Sequence, residues 1–423
     1  MEVKKTISDA LTLANKLAAT ARYTEAEVIF RQILEQVPNL SEANHGLGVV
    51  YHLSDNDDKA ISFLEKAVHL SPDNLAFHLD LAGVLRFANR PDEAITQLEI
   101  VLARDSMNER ALTERGYCHW LKGDLPAAFA AREVYRKTYP EHFRNFPRSQ
   151  WEGESLQGKT ILLHAEQGLG DTIIFLRYVP MVAALGGRVL LLLQEQLWRL
   201  VENNLPEGVE IIPHNTAPQN FDFHAPLMEL PRLFKTNLAT IPAKIPYLSP
   251  PLGDVALWKA KLGLKRSFRV GLVWSGNPVQ VENARRSMPL AALAPLAEIP
   301  GIEYFSLQKG PSADETSSPP PGLVLRDETA KLNNLADTAA LIANLDLVIS
   351  VDTSPAHLCG AMGVPCWVPL CATAYYFYMI GREDCPWYPS LRLFRQTRRG
   401  EWEEVIEKIA HALRARLEGE AWR

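Results

Sequence analysis

Cysteine is scarce in this chain. Five residues (Cys118, Cys359, Cys366, Cys371, Cys385) occur among 423, an odd number with no C-x-x-C pair. A disulfide framework and a zinc ribbon are therefore excluded, and a reducing, cytoplasmic setting is expected. Long apolar runs are also missing. The longest, near Val189 to Leu193, is strand-sized, so no membrane span is expected. The first 17 residues lack the apolar core and small-residue cleavage site of a secretory leader. There is no basic excess either. Lys+Arg is 44 and Asp+Glu is 50, for a net charge of -6, which argues against a nucleic-acid partner. At 47% hydrophobic and 22% charged, the chain is no long disordered polymer. Its length suggests two to three domains at roughly 150 residues each.

What is present first is a repeat. Segments starting at Ile7, Ser41, Leu75 and Glu109 stand 34 residues apart. Their twentieth positions are Ala26, Ala60, Ala94 and Ala128, and their twenty-fourth are Phe30, Leu64, Leu98 and Arg132. Pro38, Pro72, Ser106 and Pro140 follow at the thirty-second. Small residues fit where two helices must approach closely, and proline ends the second helix of a pair. The pattern resembles the tetratricopeptide repeat. Stacked pairs form a concave surface suited to a peptide or protein. His45 and His52 are inner-face candidates for partner contact, together with Glu42 and Val49. The competing reading is an array that only extends the second module. Such arrays commonly self-associate, which leaves a homo-oligomer open.

From Lys159 the pattern changes to short β-rich runs alternating with helical segments. Expected strands are 160–164, 188–193, 209–212, 269–274, 302–307, 347–351 and 366–368. Expected helices include 171–185, 195–203, 290–297, 337–344 and 355–362. This alternation predicts parallel α/β sheets. A proline-rich break near residue 250 divides the region into two halves. The organisation read from the chain is repeats over 7–142, a linker over 143–158, a first half over 159–250 and a second half over 251–423. The last segment, Trp402 to Leu417, reads as an amphipathic helix that packs through Val405, Ile406, Ile409, Ala410 and Leu413. Trp151 in the linker is expected to be buried.

In open parallel sheets ligands bind beyond the carboxyl ends of strands. Three loops there carry chemistry. The first runs from His164 through Glu166, Gly168 and Gly170 to Asp171. Two glycines permit a sharp turn and close approach to a ligand. Asp171 begins a helix, where an acid commonly serves only as a cap. His164 is equally readable as a satisfied strand-end residue. His164-x-Glu166 has half of a zinc deaminase spacing, but no P-C-x-x-C follows, which excludes that chemistry. The second loop, Trp274-Ser275-Gly276-Asn277-Pro278, precedes Arg285 and Arg286. Two arginines could clamp a diphosphate or could be a solvated pair. The third, Asp352-Thr353-Ser354-Pro355-Ala356-His357, joins a buried strand to a helix whose free N–H groups suit a diphosphate. A well-capped helix without a ligand is the alternative there.

Together these loops resemble glycosyltransferase family 9, the heptosyltransferase family, and most closely its tetratricopeptide-fused branch. Two segments carry the likeness: LLHAEQGLGDTIIFLRYVPMVAALGGRV from Leu162 and LIANLDLVISVDTSPAHLCGAMGVPCWV from Leu341. GLVWSGNP, SLQKG and REDCPWYPSLRLFRQ support it. The resemblance implies a glycosyltransferase-B architecture of two Rossmann-like halves. It also implies inverting transfer from a nucleotide-diphosphate sugar, as co-substrate, to an acceptor recruited by the repeats, with no bound metal or other cofactor. By the same likeness Asp171 is the general base. Gly168, Gly170, Trp274, Asn277, Arg285, Gln308, Lys309, Asp352, Thr353, Ser354 and His357 hold the donor, and His164 and Glu166 lie on the acceptor side. The only D-x-D triplet, Asp55-Asn56-Asp57, falls in the repeats. Two stretches depart from the family pattern: 279–283, with an acid and two valines, and the aromatic 374–379. A scaffold with a degenerate sugar-nucleotide domain is the second reading, and a nucleotide-sugar epimerase the third.

Overall fold

The structure, a computed structural model, describes residues 2–213, 218–280, 283–373 and 376–419. It divides into two compact units, Met1–Pro140 and Glu141–Arg423.

The first unit is four antiparallel helix pairs: α1 (Glu2–Ala19) with α2 (Tyr23–Gln36), α3 (Ser41–Leu53) with α4 (Asp57–Leu70), α5 (Leu75–Phe87) with α6 (Pro91–Arg104), and α7 (Glu109–Lys122) with α8 (Leu125–Thr138). Helices α3, α5 and α7 begin at the repeat starts read from the sequence. Helix α1 begins earlier than Ile7. The four alanines are fully buried, as are Phe30, Leu64 and Leu98. Glycines make the close contacts. A β-carbon on Gly46 would stand 2.3 Å from Phe30 Cζ, and one on Gly48 would stand 2.7 Å from Leu64 Cγ. Side chains of Asn56, Asn74, Asn108 and Asp124 cap α4, α5, α7 and α8. These short polar groups satisfy N–H donors that the helix leaves open. The D-x-D triplet is thus absorbed, with Asn56 as a cap and Asp57 held by His52.

The second unit holds two parallel sheets. In chain order its elements are β1 (Thr160–His164), α9 (Leu169–Leu176), α10 (Val179–Ala183), β2 (Arg188–Leu193), α11 (Trp198–Glu202), β3 (Val209–Pro213), β4 (Phe223–Pro226) and α12 (Leu230–Leu233). The second half follows: α13 (Leu252–Leu262), β5 (Phe268–Val273), α14 (Asn283–Arg286), β6 (Ile302–Ser306), β7 (Leu325–Asp327), α15 (Leu335–Ile342), β8 (Leu347–Ser350), α16 (Ser354–Met362), β9 (Cys366–Leu370), β10 (Leu391–Arg395) and α17 (Trp402–Leu417). The first sheet has the order β3-β2-β1-β4 and the second β10-β9-β8-β5-β6-β7. Every pairing between these strands is parallel. In the second sheet the chain winds outward from β5 in one direction, then returns to β8 and winds the other way. A crevice opens at such a reversal, beyond the strands' carboxyl ends.

The expected linker is part of this unit. Trp151 is buried, its N–H donates to the His224 carbonyl at 2.8 Å, and Gln150 bridges His224 in parallel. The expected helix 290–297 is a 3-10 helix, Leu290–Glu298, with Pro295 inside it. Proline removes an amide donor and crowds the preceding turn, which disfavours a regular α-helix. On α17 all five expected apolar residues are fully buried, against β9, β10 and the 3-10 segment. The valine, isoleucine and leucine side chains among them each contribute about 1.5–3 kcal/mol of transfer free energy. Among the described residues no helix is long and apolar enough to cross a membrane.

Candidate functional site

The crevice between β5 and β8 holds a cavity of about 560 Å³. The turn after β5 supplies Ser275, Gly276 and Asn277, and the turn after β6 supplies Gln308 and Lys309. The start of α16 supplies Thr353, Ser354 and Pro355. Leu169 and Gln196 of the first half close the wall. Three expected donor regions therefore converge on one space.

Lys309 donates to the carbonyls of Thr329 at 2.9 Å and Leu332 at 3.0 Å. An ammonium has three donors and these use two, so one is left for a ligand. Asn277 is exposed on the wall. Thr353 is the N-cap residue of α16, yet its hydroxyl turns back to Val351 O at 3.1 Å and Ser350 Oγ at 3.0 Å. Its side chain thus does not cap the helix, and the positive end of α16 faces the cavity with Ser354 in the wall.

Three residues expected to hold the donor turn their side chains to other partners or lie outside the cavity wall. Gln308 is buried: its Oε1 accepts from the N–H groups of Trp274 and Ser275, and its Nε2 donates to the carbonyls of Ser275 and Lys309. All four of its hydrogen-bonding positions are used, so it is a strut between two loops rather than a ligand contact. Trp274 is fully buried in the core, its indole N–H on Glu315 at 3.3 Å. Arg285 is not part of the cavity wall. Its neighbour Arg286 lies against Gly276, and its charge acts on Asp352 and His357. Val281, Glu282, Ala374 and Tyr375 of the two departing stretches lie outside the described residues.

Asp352 and His357 sit beneath the cavity, not in its wall. Both are buried, with His357 Nε2 3.8 Å from Asp352 Oδ1. Asp352 Oδ2 and His357 Nδ1 have no hydrogen-bond partner. Burial pushes the Asp352 carboxyl up to about 6, against the opposing pull of Arg286 and of Tyr378. The Tyr378 hydroxyl does this without a hydrogen bond of normal geometry. Burial, reinforced by Arg177 and Arg286, pushes His357 down to about 3. The imidazole is therefore neutral at physiological pH. Tyr378 stacks on it, and Phe377 and Tyr388 meet it edge-on.

Helix α9 brings the glycine-containing loop that follows β1 to this floor. Thr172 through Leu176 are buried on every side, because α9 is packed both in its own half and against α16. Asp171 is the third residue of α9 rather than its N-cap. Its carboxylate accepts the Gly168 N–H at 3.1 Å. Thr172 adds a hydroxyl bond to Gln194 at 3.0 Å, and Gln194 returns one to Gln167 O at 2.8 Å. The Gly168 turn is thus fixed from both sides. A β-carbon on Gly170 would collide with His357, which explains the second glycine.

His164, expected on the acceptor side, is turned into the core. It is fully buried, shares a 3.3 Å hydrogen bond with His224, and lies under Phe146. Burial, with His224 and Arg144, pushes it down to about 3. Glu166 is half-buried and absent from the cavity wall.

Sequence reasoning missed Arg177. It is buried at the end of α9 and donates to the carbonyls of Ile174, Pro242 and Trp387. The rings of Tyr247, Tyr388 and Trp387 surround it at 4.9, 4.8 and 5.5 Å. One side chain so ties the first half to the second. The signal was available: a lone arginine in the apolar run TIIFLRYVPMV must find partners if it is buried. Asn334, also in the cavity wall, caps α15 through two N–H groups.

In the helical unit the two expected histidines are engaged by rings and carboxylates. His45 stacks on Phe77 at 4.4 Å and binds Asp80 at 2.7 Å, and Asp80 also takes Arg110 at 2.7 Å. Against the effect of burial, these hydrogen bonds hold the Asp80 carboxyl below its ordinary value. His52 binds Asp57 at 2.7 Å and leans on Phe87. Both histidines are held by neighbours within their own unit. Among the described residues no group of three or more His, Cys, Asp or Glu is gathered to hold a metal ion.

Comparison with known proteins bears on the helical unit. Two models of the tetratricopeptide repeat match residues 11–74 and 54–113. The N-terminal unit is thus a tetratricopeptide-repeat array, of a kind that serves protein interaction. Over the whole chain there is similarity to Protein FlbA of Caulobacter vibrioides, 28% identical over 444 residues, covering 96% of this chain and 73% of that protein. Among solved structures, YrrB is described as a TPR protein with an unusual peptide-binding site. It is 22% identical over 33% of this chain and 75% of its own, with a TM-score of 0.30. MamA protein is 20% identical over 32% and 75%, with a TM-score of 0.31.

Proposed function

We propose that this chain is a glycosyltransferase. It takes a nucleoside-diphosphate sugar in the cavity between β5 and β8 and passes the sugar to a protein or glycan acceptor recruited by the repeat array. The observation that carries this reading is the convergence of three turns on one cavity at the reversal of strand order, where Lys309 and the uncapped start of α16 face the same space. Helix N–H groups and a cation are the groups that a diphosphate needs.

In this reading the acceptor nucleophile attacks the anomeric carbon and its proton passes to Asp171. The bond from that carbon to the diphosphate breaks, and the nucleoside diphosphate leaves with the electron pair. Lys309 and the start of α16 stabilise the leaving charge, a preorganised electrostatic contribution. Asp352 and His357 shape the floor beneath it. Their burial makes them positioning groups in this scheme, which departs from a direct donor contact.

The test is to follow sugar release from nucleotide sugars with Asp171→Asn beside the unaltered protein. Asp171→Asn should lose turnover and keep nucleotide binding, because a general base acts only on the reacting proton. Turnover near the normal rate in that variant would remove Asp171 from the mechanism. Absence of both turnover and nucleotide binding in the folded, unaltered protein would leave a scaffold.

A further inference from the structure

Helix α13 turns only one face to the protein. Trp258 and Leu262 are buried, the Val255 carbonyl accepts from Asn344 Nδ2 at 3.1 Å, and the helix packs on α15. The opposite face is uncovered among the described residues. At 3.6 residues per turn, Leu252, Gly253, Ala256, Leu257 and Ala260 fall within an arc of about 140°. All five are exposed. Leu264 follows just beyond Gly263, where the helix ends. Leu252 is 86% exposed, Leu257 71% and Leu264 83%. A β-carbon on Gly253 would meet nothing within 4 Å, so the space beside it is open. One exposed leucine is ordinary, but three along one apolar helix face and its end mark a surface that binds something.

Charge decides what binds. Between Leu252 and Arg266 stand the cations Lys259, Lys261, Lys265 and Arg266 against one carboxylate, Asp254. On helical spacing Lys259 flanks the apolar arc on the Leu252 side and Lys261 on the Leu257 side. Asp254 is held by Arg199 at 2.6 Å. Lys261 and Lys265 reach back to Glu328 and Asp346, carboxylates with little exposure. Lys259 and Arg266 are exposed and form no ion pair among the described residues. The rim of the apolar face is thus positive, on a chain of net charge -6. A twofold pairing of this face with itself would set the same cations of two copies against each other. An anionic lipid surface suits both parts: the leucines enter the acyl boundary while the cationic heads meet lipid phosphate.

We propose that the outer face of α13 docks on an anionic lipid bilayer, on which the chain lies without crossing it. The 11 residues of α13 are too few to span a bilayer, and its other side stays packed in the protein. None of the residues of this face lines the cavity between β5 and β8, so the proposal stands apart from sugar transfer.

The full chain is floated with mixed phosphatidylglycerol and phosphatidylcholine vesicles, and with phosphatidylcholine vesicles alone, at matched ionic strength. Two variants accompany it: Leu252→Gln/Leu257→Gln/Leu264→Gln and Lys259→Gln/Arg266→Gln. All five side chains are exposed, so both variants are expected to fold, and their thermal midpoints check this. The unaltered protein should float with the anionic vesicles and stay behind with the neutral ones. Each variant should lose about tenfold or more in partitioning. Sedimentation without vesicles tests the pairing of two copies. Equal flotation on neutral vesicles, flotation that the leucine variant retains, or no flotation of the folded protein would overturn the proposal. So would a dimer that the leucine variant splits, since the face would then be an interface between copies.

Discussion

Gly170 lies so close to His357 that a β-carbon on the glycine would stand 2.7 Å from Cδ2 of the ring and 3.2 Å from Nε2. This close approach is part of the packing of α9 against α16. His357 cannot yield, because Phe377, Tyr378 and Tyr388 enclose it. Gly170→Ala should therefore cost about 1–3 kcal/mol by overpacking. Denaturant unfolding measures it, and a double-mutant cycle with His357→Ala should recover part of the loss. Additive effects of the two substitutions would show that the residues do not press on one another.

Asp352 gives a pH signature. Its folded value of about 6 lies above its ordinary 3.8. Ionised Asp352 thus lowers stability at pH 7 and above, and that cost fades as pH falls through 6 towards 4. Asp352→Asn should be more stable than the unaltered protein at pH 8, by on the order of 3 kcal/mol, and lose most of the advantage at pH 4.5. Denaturation midpoints at the two pH values decide it. An equal advantage at both would mean the carboxylate is not the source.

The buried histidines act in the opposite sense. His164 and His357 are near 3 in the fold and 6.5 ordinarily. Neutral burial contributes stability that is whole above pH 6.5 and is lost as pH falls towards 3. His164→Gln keeps a donor or acceptor near the Nε2 position towards His224. It should flatten the fall in stability between pH 6.5 and 4. A fall as steep as that of the unaltered protein would rule out His164 as a contributor.

Arg177 should resist conservative exchange. Lysine cannot reach three carbonyls while stacking among three rings, since its ammonium is a point charge and not a planar fork. Arg177→Lys and Arg177→Met should each destabilise the second unit by about 3 kcal/mol or more. Thermal unfolding of both variants checks this. Near-normal stability of Arg177→Lys would show that charge alone suffices.

Much of the fold was legible in the sequence. The strands at 160–164 and 188–193 were read to the residue, because continuous apolar runs bounded by turn residues mark buried parallel strands. The strands that escaped notice are β4, β7 and β10, each at a sheet edge. They are short, and they carry proline or alternating charge, features that keep edges from pairing further. At the site, sequence order located the three turns but could not set the direction of side chains. Gln308 turned inward as a strut, Trp274 went into the core, and Arg285, expected to hold the donor, is absent from the cavity wall while Arg286 acts on the buried pair. His164 shows the same limit. A strand-end histidine is readable as a site residue until its partner His224, sixty positions away, is seen beside it.

The central claim is that the cavity between β5 and β8 holds a nucleoside diphosphate, and thermal unfolding tests it most directly. The unaltered protein and Lys309→Met are heated with adenosine, uridine and guanosine diphosphates in turn. One of the three should raise the midpoint of the unaltered protein, as a ligand of the folded state does. Lys309→Met should abolish that rise while unfolding normally without ligand. A well-folded protein that responds to none of them, or that responds equally with and without Lys309, would contradict the account.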